Sequence, residues 1–415
     1  MEQRSRPDVC PGWARHGGHE NRGYMDSGGS QAKEAALPFG KAGYGGLLVW
    51  FQGARANGGH PLPFSISWTC EFRHLSARAE ILWSYQGGVC MHVLITGGAG
   101  FIGSHLADLH LARGDHVHVV DDLSTGSPDN IAAQESNPRF RFDQADILTW
   151  DNLGRSVAWA DRIYHLAAVV GVYRVIAEPT KVLATNVAAC ERVLRAANDA
   201  GWRPQMVIAS SSEVYGHNVE HLLSEDMDLN VSTRVGTRWG YSVSKITDEA
   251  LGMAYTQKFG IPTVIARFFN TVGPRQSGSY GMVVPRFVSQ AVQNMPITVF
   301  GDGRQTRSFC DVRDTVAILD TAVGLCSEDA MVINIGNDRE ISILELARLV
   351  IDRAGSSSPI QHVSLREAYG EDFEETRRRR PDLTRLRRLT GYTHRHILEN
   401  TIDELIAIER TRITG

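Results

Sequence analysis

Two residues of types that exchange protons, Tyr241 and Lys245, stand four positions apart. On a helix that spacing puts both on one face, an ammonium beside a phenol. A neighbouring positive charge favours the phenolate and lowers the tyrosine pKa toward the working pH, where it can take a proton from a hydroxyl. Such a pair also decorates helices that do no chemistry, so the segment before it decides its weight. Ser210-Ser211-Ser212-Glu213-Val214-Tyr215-Gly216 follows the apolar run Met206 to Ala209. Hydroxyls and a carboxylate therefore collect at the end of a strand, and open parallel sheets bind ligands at the carboxyl ends of their strands.

A second stretch addresses phosphate. Thr96-Gly97-Gly98-Ala99-Gly100-Phe101-Ile102-Gly103 directly follows Val93-Leu94-Ile95 and reads as a strand, a glycine turn and the start of a helix. Gly97, Gly100 and Gly103 allow a tight turn, a close approach to a pyrophosphate and close packing of helix on strand. The helix N-terminus then offers free N–H groups and partial positive charge. Asp121 ends the next apolar run, Val117 to Val120, near the spacing of about 20 residues for a carboxylate that binds ribose hydroxyls. No arginine follows it to hold a 2′-phosphate, so NAD is favoured over NADP.

These groups need a frame. Strand-like runs fall at 92–96, 116–120, 139–143, 162–166, 205–209 and 262–268, with amphipathic stretches between them such as Ser104 to Ala112, Thr185 to Ala200 and Ser244 to Lys258. Strands alternating with helices predict an α/β fold, a Rossmann-type doubly wound parallel sheet, over 91–267. After Phe268 the chain breaks at Pro274, Pro285 and Pro296, with helical stretches at Ser342 to Ala354 and Ile397 to Arg410. Residues 268–415 read as a smaller mixed α/β domain with a soft boundary, some segments returning to the sheet. Residues 1–90 differ in kind, with Trp13, Trp50, Trp68 and Trp83, glycine pairs and little periodicity. The expectation is a disordered or non-native N-terminal extension, with Met91 as the natural start; a genuine but poorly ordered segment is the competing reading.

The chain has 415 residues and a formal charge of −4, which argues against a general nucleic-acid binder. No apolar run approaches the roughly 18 residues of a membrane span. Cys10, Cys70, Cys90, Cys190, Cys310 and Cys326 form no C-x-x-C pair and no metal-ligand spacing, as expected of reduced thiols in a cytoplasmic protein without a metal site. His165, at the end of a strand, reads as a packed core histidine, and Cys310 as small and buried.

From Met91 onward the chain resembles the extended short-chain dehydrogenase/reductases that act on nucleotide sugars. The resemblance is carried by T-G-G-A-G-F-I-G (96–103), D-D-L-S-T-G (121–126), H-L-A-A (165–168), S-S-S-E-V-Y-G (210–216), Y-S-V-S-K (241–245), F-N-T-V-G-P-R-Q (269–276), Q-T-R-S-F (305–309) and R-R-P-D (379–382). It implies that Asp146 and Ile147 flank the adenine of NAD, and that Phe101, Ile102, Leu166 and Ala167 line the cofactor groove. It makes Tyr241 the base for hydride transfer, Lys245 a bridge to the nicotinamide ribose and Ser211 a hydrogen-bond partner of the sugar hydroxyl. Asn270, Arg307 and Arg380 match positions that grip the sugar diphosphate, while Arg377 and Arg378 read as a solvated face. The resemblance also implies a homodimer formed through the helices at Thr185 to Ala200 and Ser244 to Lys258, and a nucleotide-sugar role, with a UDP-sugar favoured, for 268–415.

The family shares a first step, oxidation of the C4 hydroxyl, and the residues beside Ser211 bear on the fate of the resulting ketone. Ser212 stands where dehydratases that use an Asp-Glu pair carry their acid, and a hydroxyl of ordinary pKa is a poor general acid. Glu213 stands where simple 4-epimerases usually carry a small or neutral residue. Ser-Glu before Val-Tyr-Gly resembles UDP-glucuronate decarboxylases, with Ser212, Glu213 and Arg307 as participants. The stretch 273–286 looks more like bacterial epimerases, so a UDP-sugar 4-epimerase stays as the alternative, a 4,6-dehydratase after it, and a non-catalytic NAD-binding relative last.

Overall fold

Runs such as Val93-Leu94-Ile95, apolar at consecutive positions, can be satisfied only in a sheet covered on both faces. All three residues are fully buried. The computed structural model describes residues 90–414 apart from 219–221, 233–238, 279–280, 327–328 and 371–375, together with a short antiparallel pair, Gly43–Tyr44 with Leu47–Leu48. Apart from that strand pair and Cys90, the expectation for residues 1–90 lies outside the described residues.

Seven strands form the central sheet: β1 (His92–Thr96), β2 (His116–Asp121), β3 (Phe140–Gln144), β4 (Arg162–His165), β5 (Gln205–Ser211), β6 (Thr263–Phe268) and β7 (Met331–Ile335). Every pairing is parallel and the order is β7-β6-β5-β4-β1-β2-β3. Chain order reverses at β1, between β2 and β4, which opens a crevice at the carboxyl ends of those strands. The expected Rossmann-type doubly wound sheet is the observed one.

Three helices position the chemistry: α1 (Phe101–Ala112), α2 (Pro179–Asp199) and α3 (Trp239–Phe259). Helix α1 starts directly after Gly100 and returns the chain to β2. Pro179 opens α2 at a first-turn position, where its missing N–H costs nothing. Val182, Ala189, Val193 and Ala197 recur at helical spacing and are buried, fixing the face α2 turns inward. Helix α3 packs along α2 and against β5.

From Phe268 on, the chain serves two cores. Helix Val312–Gly324 and β7 return to the central sheet, where Val316, Leu319, Ile333 and Ile335 pack with Val93, Val207 and Val264. A second core gathers Phe287, Ile297, Val299, Leu346 and Ile402. Its helix Ile343–Ala354 is held by a capping box, Ser342 with Glu345, and ends on Gly355 in the left-handed conformation. Among the described residues no helix is long and apolar enough to cross a membrane.

Candidate active site

One cleft of about 570 Å³ is lined by both walls of the crevice. Its dinucleotide side begins at Gly97, whose φ of +72° suits glycine. A Cβ there would lie 2.7 Å from the Ala167 nitrogen, so the turn sits directly on the end of β4. A Cβ on Gly103 would collide with the Gly97 carbonyl oxygen. The Asp121 carboxylate accepts from the Ala99 N–H at 3.0 Å and the Leu123 N–H at 2.8 Å, which ties the end of β2 to the glycine turn. Burial raises the Asp121 carboxyl above its ordinary value, against those two N–H groups. Gly97, Gly100, Phe101, Ile102, Gly103, Asp121, Asp146, Ile147, Leu166 and Ala167, all expected at a cofactor, line this cleft together. A glycine cradle that any side chain would fill, a helix N-terminus and a carboxylate beside it are the donor set that a dinucleotide requires.

The residues expected to move protons gather at the carboxyl end of β5. A short 3₁₀ turn, Ser212–Tyr215, leaves the strand there, capped by Ser211, whose hydroxyl accepts from the Glu213 N–H at 3.2 Å. Ser211, Ser212, Glu213, Tyr241 and Lys245 all line the cleft. For Tyr241 the structure corrects the expected direction. Burial raises the phenol, Lys245 opposes the rise, and Glu213 adds to it, so the Tyr241 pKa lies above its ordinary value. Lys245 acts on the phenol as the spacing predicts, but removing the phenolate from water is the larger effect. His165 is pushed down to about 3, by burial first and Lys245 second, and its Nδ1 shares a hydrogen bond with the Thr96 hydroxyl at 2.8 Å.

The opposite wall is built by register. Strand Asn270–Val272 pairs in parallel with Thr306–Asp311, which pairs in parallel with the two-residue strand Arg378–Arg379. Arg307 is directly opposite Arg379, and paired residues of parallel strands share a face. Asn270, Arg307 and Arg379 therefore all line the cleft. Arg380 does not, contrary to the expectation. One position further along, its side chain turns to the other face and lies 3.8 Å from Glu340, beside the Arg378–Glu340 pair. Arg379 takes the cleft-facing place and donates from Nη1 to Glu213 Oε1 at 2.8 Å.

Comparison with known proteins agrees with this geometry. The profile of the NAD dependent epimerase/dehydratase family matches residues 93–336. The chain belongs to that family. UDP-glucuronic acid decarboxylase 4 of Arabidopsis thaliana is 35% identical over 325 residues, covering 78% of this chain and 70% of the relative. UDP-N-acetyl-alpha-D-glucosaminuronate decarboxylase of Bacillus cytotoxicus is 36% identical over 304 residues, 72% of this chain and 91% of the relative. Among solved structures, UDP-glucuronic acid 4-epimerase of Bacillus cereus, in complex with UDP-glucuronic acid and NAD, superposes with a TM-score of 0.70 at 29% identity, covering 78% of this chain and all of the other.

Three groups of this epimerase/dehydratase fold carry no signal that sequence reasoning caught. Asn186 of α2 holds the Val169 N–H at 2.7 Å and donates to Ser244 Oγ at 3.2 Å, joining the loop after β4 to the turn of α3 that carries Tyr241. Glu249 of α3 takes Arg267 of β6 in a bidentate pair, at 2.9 and 2.8 Å, and also accepts from Ser210. Tyr215 donates to Asn334 of β7 at 2.7 Å beneath the Ser212–Tyr215 turn. Glu249 comes four residues after Lys245, so helical spacing marks its face; its partners come from other strands and leave no local trace.

Proposed function

We propose that this protein is a nucleotide-sugar decarboxylase acting on UDP-glucuronate. The observation that carries the reading is the convergence of Ser212, Glu213, Arg307 and Arg379 on the cleft that also holds Tyr241 and Lys245. Its 35–36% identity to several UDP-glucuronic acid decarboxylases supports it. NAD⁺, when bound along Gly97, Gly100, Gly103 and Asp121, supplies the two-electron oxidant for C4. The chain does the rest. Tyr241 takes the C4 hydroxyl proton, Ser211 holds that oxygen, and Lys245 favours the phenolate. A ketone at C4 makes the substrate a β-keto acid. Its C5–C6 bond then breaks, the electron pair enters the carbonyl and CO₂ leaves. Arg307 and Ser212 orient the carboxylate, and a water held by Glu213 returns a proton to C5. The hydride taken from C4 would then return to that carbon, with the proton held by Tyr241 returning to its oxygen, which gives the UDP-pentose and restores the oxidant. Asn270, Arg307 and Arg379 grip the charged parts of the sugar nucleotide, the last in the place expected of Arg380. Residues 91–267 supply the cofactor side and the later segments the sugar-nucleotide side.

The likeness to the Bacillus cereus UDP-glucuronic acid 4-epimerase favours a second reading, C4 epimerisation. Incubation with UDP-glucuronate separates the two. The decarboxylase releases CO₂ and a UDP-pentose; exclusive formation of the C4 epimer rejects it. Full turnover by Ser212→Ala or Glu213→Ala would remove those residues from the mechanism.

A homodimer through α2 and α3 belongs to the same proposal. Leu183 on α2 and Val243 and Met253 on α3 are large apolar side chains left exposed, which supports a partner there. Light scattering at twice the chain mass is the expected result. Free buried Cys190 and Cys310 support a reducing, cytoplasmic setting.

A further inference from the structure

The face of α3 that carries Tyr241 and Lys245 bears a third ionisable group. Asp248 comes three residues after Lys245 and seven after Tyr241, spacings that stack side chains along one helix face. The residue is 1% exposed. Its Oδ2 lies 3.0 Å from Lys245 Nζ, and the Cys190 thiol of α2 also faces this carboxylate. Lys245 is itself buried, so its ammonium is cut off from water on the side away from the cleft.

The groups around this ammonium come from three elements. Asp248 and Tyr241 share its helix, Cys190 reaches it from α2, and His165 from the end of β4. Glu213, from the turn after β5, faces Tyr241 and is paired with Arg379; Glu249 beside Asp248 is taken by Arg267. His165 is neutral, and burial keeps the Cys190 thiol protonated. Asp248 is therefore the anion in direct contact with Lys245. A buried ammonium without such a partner gives up its proton.

We propose that Asp248 is a positioning residue of this active site. Its carboxylate pins the Lys245 side chain on the Tyr241 face of α3 and supplies the counter-charge that keeps the enclosed ammonium in place. The role extends the reading of Tyr241 as base, and its first test needs neither cofactor nor sugar. Burial works against the Lys245 charge, Asp248 and then Tyr241 outweigh it, and the amine is held above an ordinary lysine. Burial likewise pushes the Asp248 carboxyl up, and the ammonium draws it back.

Competitive labelling of the full chain with trace acetic anhydride, read by mass spectrometry across a pH series, reports the ionisation of Lys245 directly. In the unaltered protein its labelling midpoint should lie above that of exposed lysines; a midpoint below them overturns the proposal. Asp248→Asn keeps the shape and removes the charge, so the midpoint should fall by about one pH unit or more. An unchanged midpoint overturns the proposal. Asp248→Glu should restore it, and if the asparagine variant does not fold, a midpoint in the glutamate variant as low as that of an unpaired buried amine overturns the proposal as well. With NAD and UDP-glucuronate, kcat/KM of Asp248→Asn should lose its alkaline plateau at correspondingly lower pH, because a neutral amine no longer favours the phenolate. A protein that turns over no sugar nucleotide would reject the functional reading, while the labelling still decides the role of Asp248.

Discussion

The two walls of the cleft are assembled by different means. The dinucleotide wall comes mostly from one continuous stretch, with β1, the glycine turn, α1 and the end of β2 in immediate succession and Asp121 tied back to Ala99. The opposite wall takes Asn270, Arg307 and Arg379 from three separated segments, brought side by side by parallel strand pairing. The first depends on local backbone geometry, so each residue has a fixed reason to be its type. The second depends on register, and a shift of one position exchanges the residue in the cleft for the one behind it. Arg379 and Arg380 are that exchange.

Substitutions can break or sharpen this contrast. The largest effect belongs to the group between the walls: Tyr241→Phe should lower turnover by about 10³-fold while leaving NAD bound, since general base catalysis is worth roughly 10²–10⁴-fold. Retained activity would remove the phenol from the reaction. On the local wall, Gly103→Val drives a side chain into the Gly97 carbonyl, and NAD affinity measured by calorimetry should fall by about 100-fold, as strain of roughly 3 kcal/mol would produce. On the register-built wall, Arg307→Ala and Arg379→Ala should each raise KM for the sugar nucleotide about 10-fold or more, with NAD affinity unchanged, because a charge-assisted hydrogen bond contributes about 1.5–3 kcal/mol. The smallest effect is the sharpest test. Arg380→Ala should change KM by no more than about twofold, as expected for a partly exposed ion pair outside the cleft; a KM effect equal to that of Arg379→Ala would mean that the register does not select.

Legibility in the sequence divides along the same line. The strand runs at 92–96, 116–120 and 262–268 agree with β1, β2 and β6 to within a residue or so, because strands buried on both faces announce themselves by unbroken apolar runs. Helix α2 begins earlier than its amphipathic stretch suggests, at Pro179, because a proline reads as a break in the chain although the first turn of a helix accepts it. Lys245 beside Tyr241 is readable from spacing alone, yet the direction of the Tyr241 pKa is not, since burial depends on what α2 and β5 place around it. Arg379 is hidden because four consecutive arginines give no clue to which one a two-residue strand will turn inward. Asp248 is hidden for a related reason: an acidic residue within a polar-looking helix reads as solvated until its neighbours are known.

Strand β7 has a consequence for how the chain is made. It covers the outer edge of β6 and carries Asn334, which receives the Tyr215 hydroxyl and reaches the carbonyls of Leu223 and Asp382. The support beneath the Ser211–Glu213 turn is thus synthesised more than a hundred residues after the turn itself. A nascent chain halted before residue 331 has every group proposed for the chemistry except Arg379, but it exposes the full edge of β6, a template for pairing with other chains. Support for this turn therefore waits on the last fifth of the polypeptide, and the dinucleotide half cannot be severed from that later portion without baring the edge.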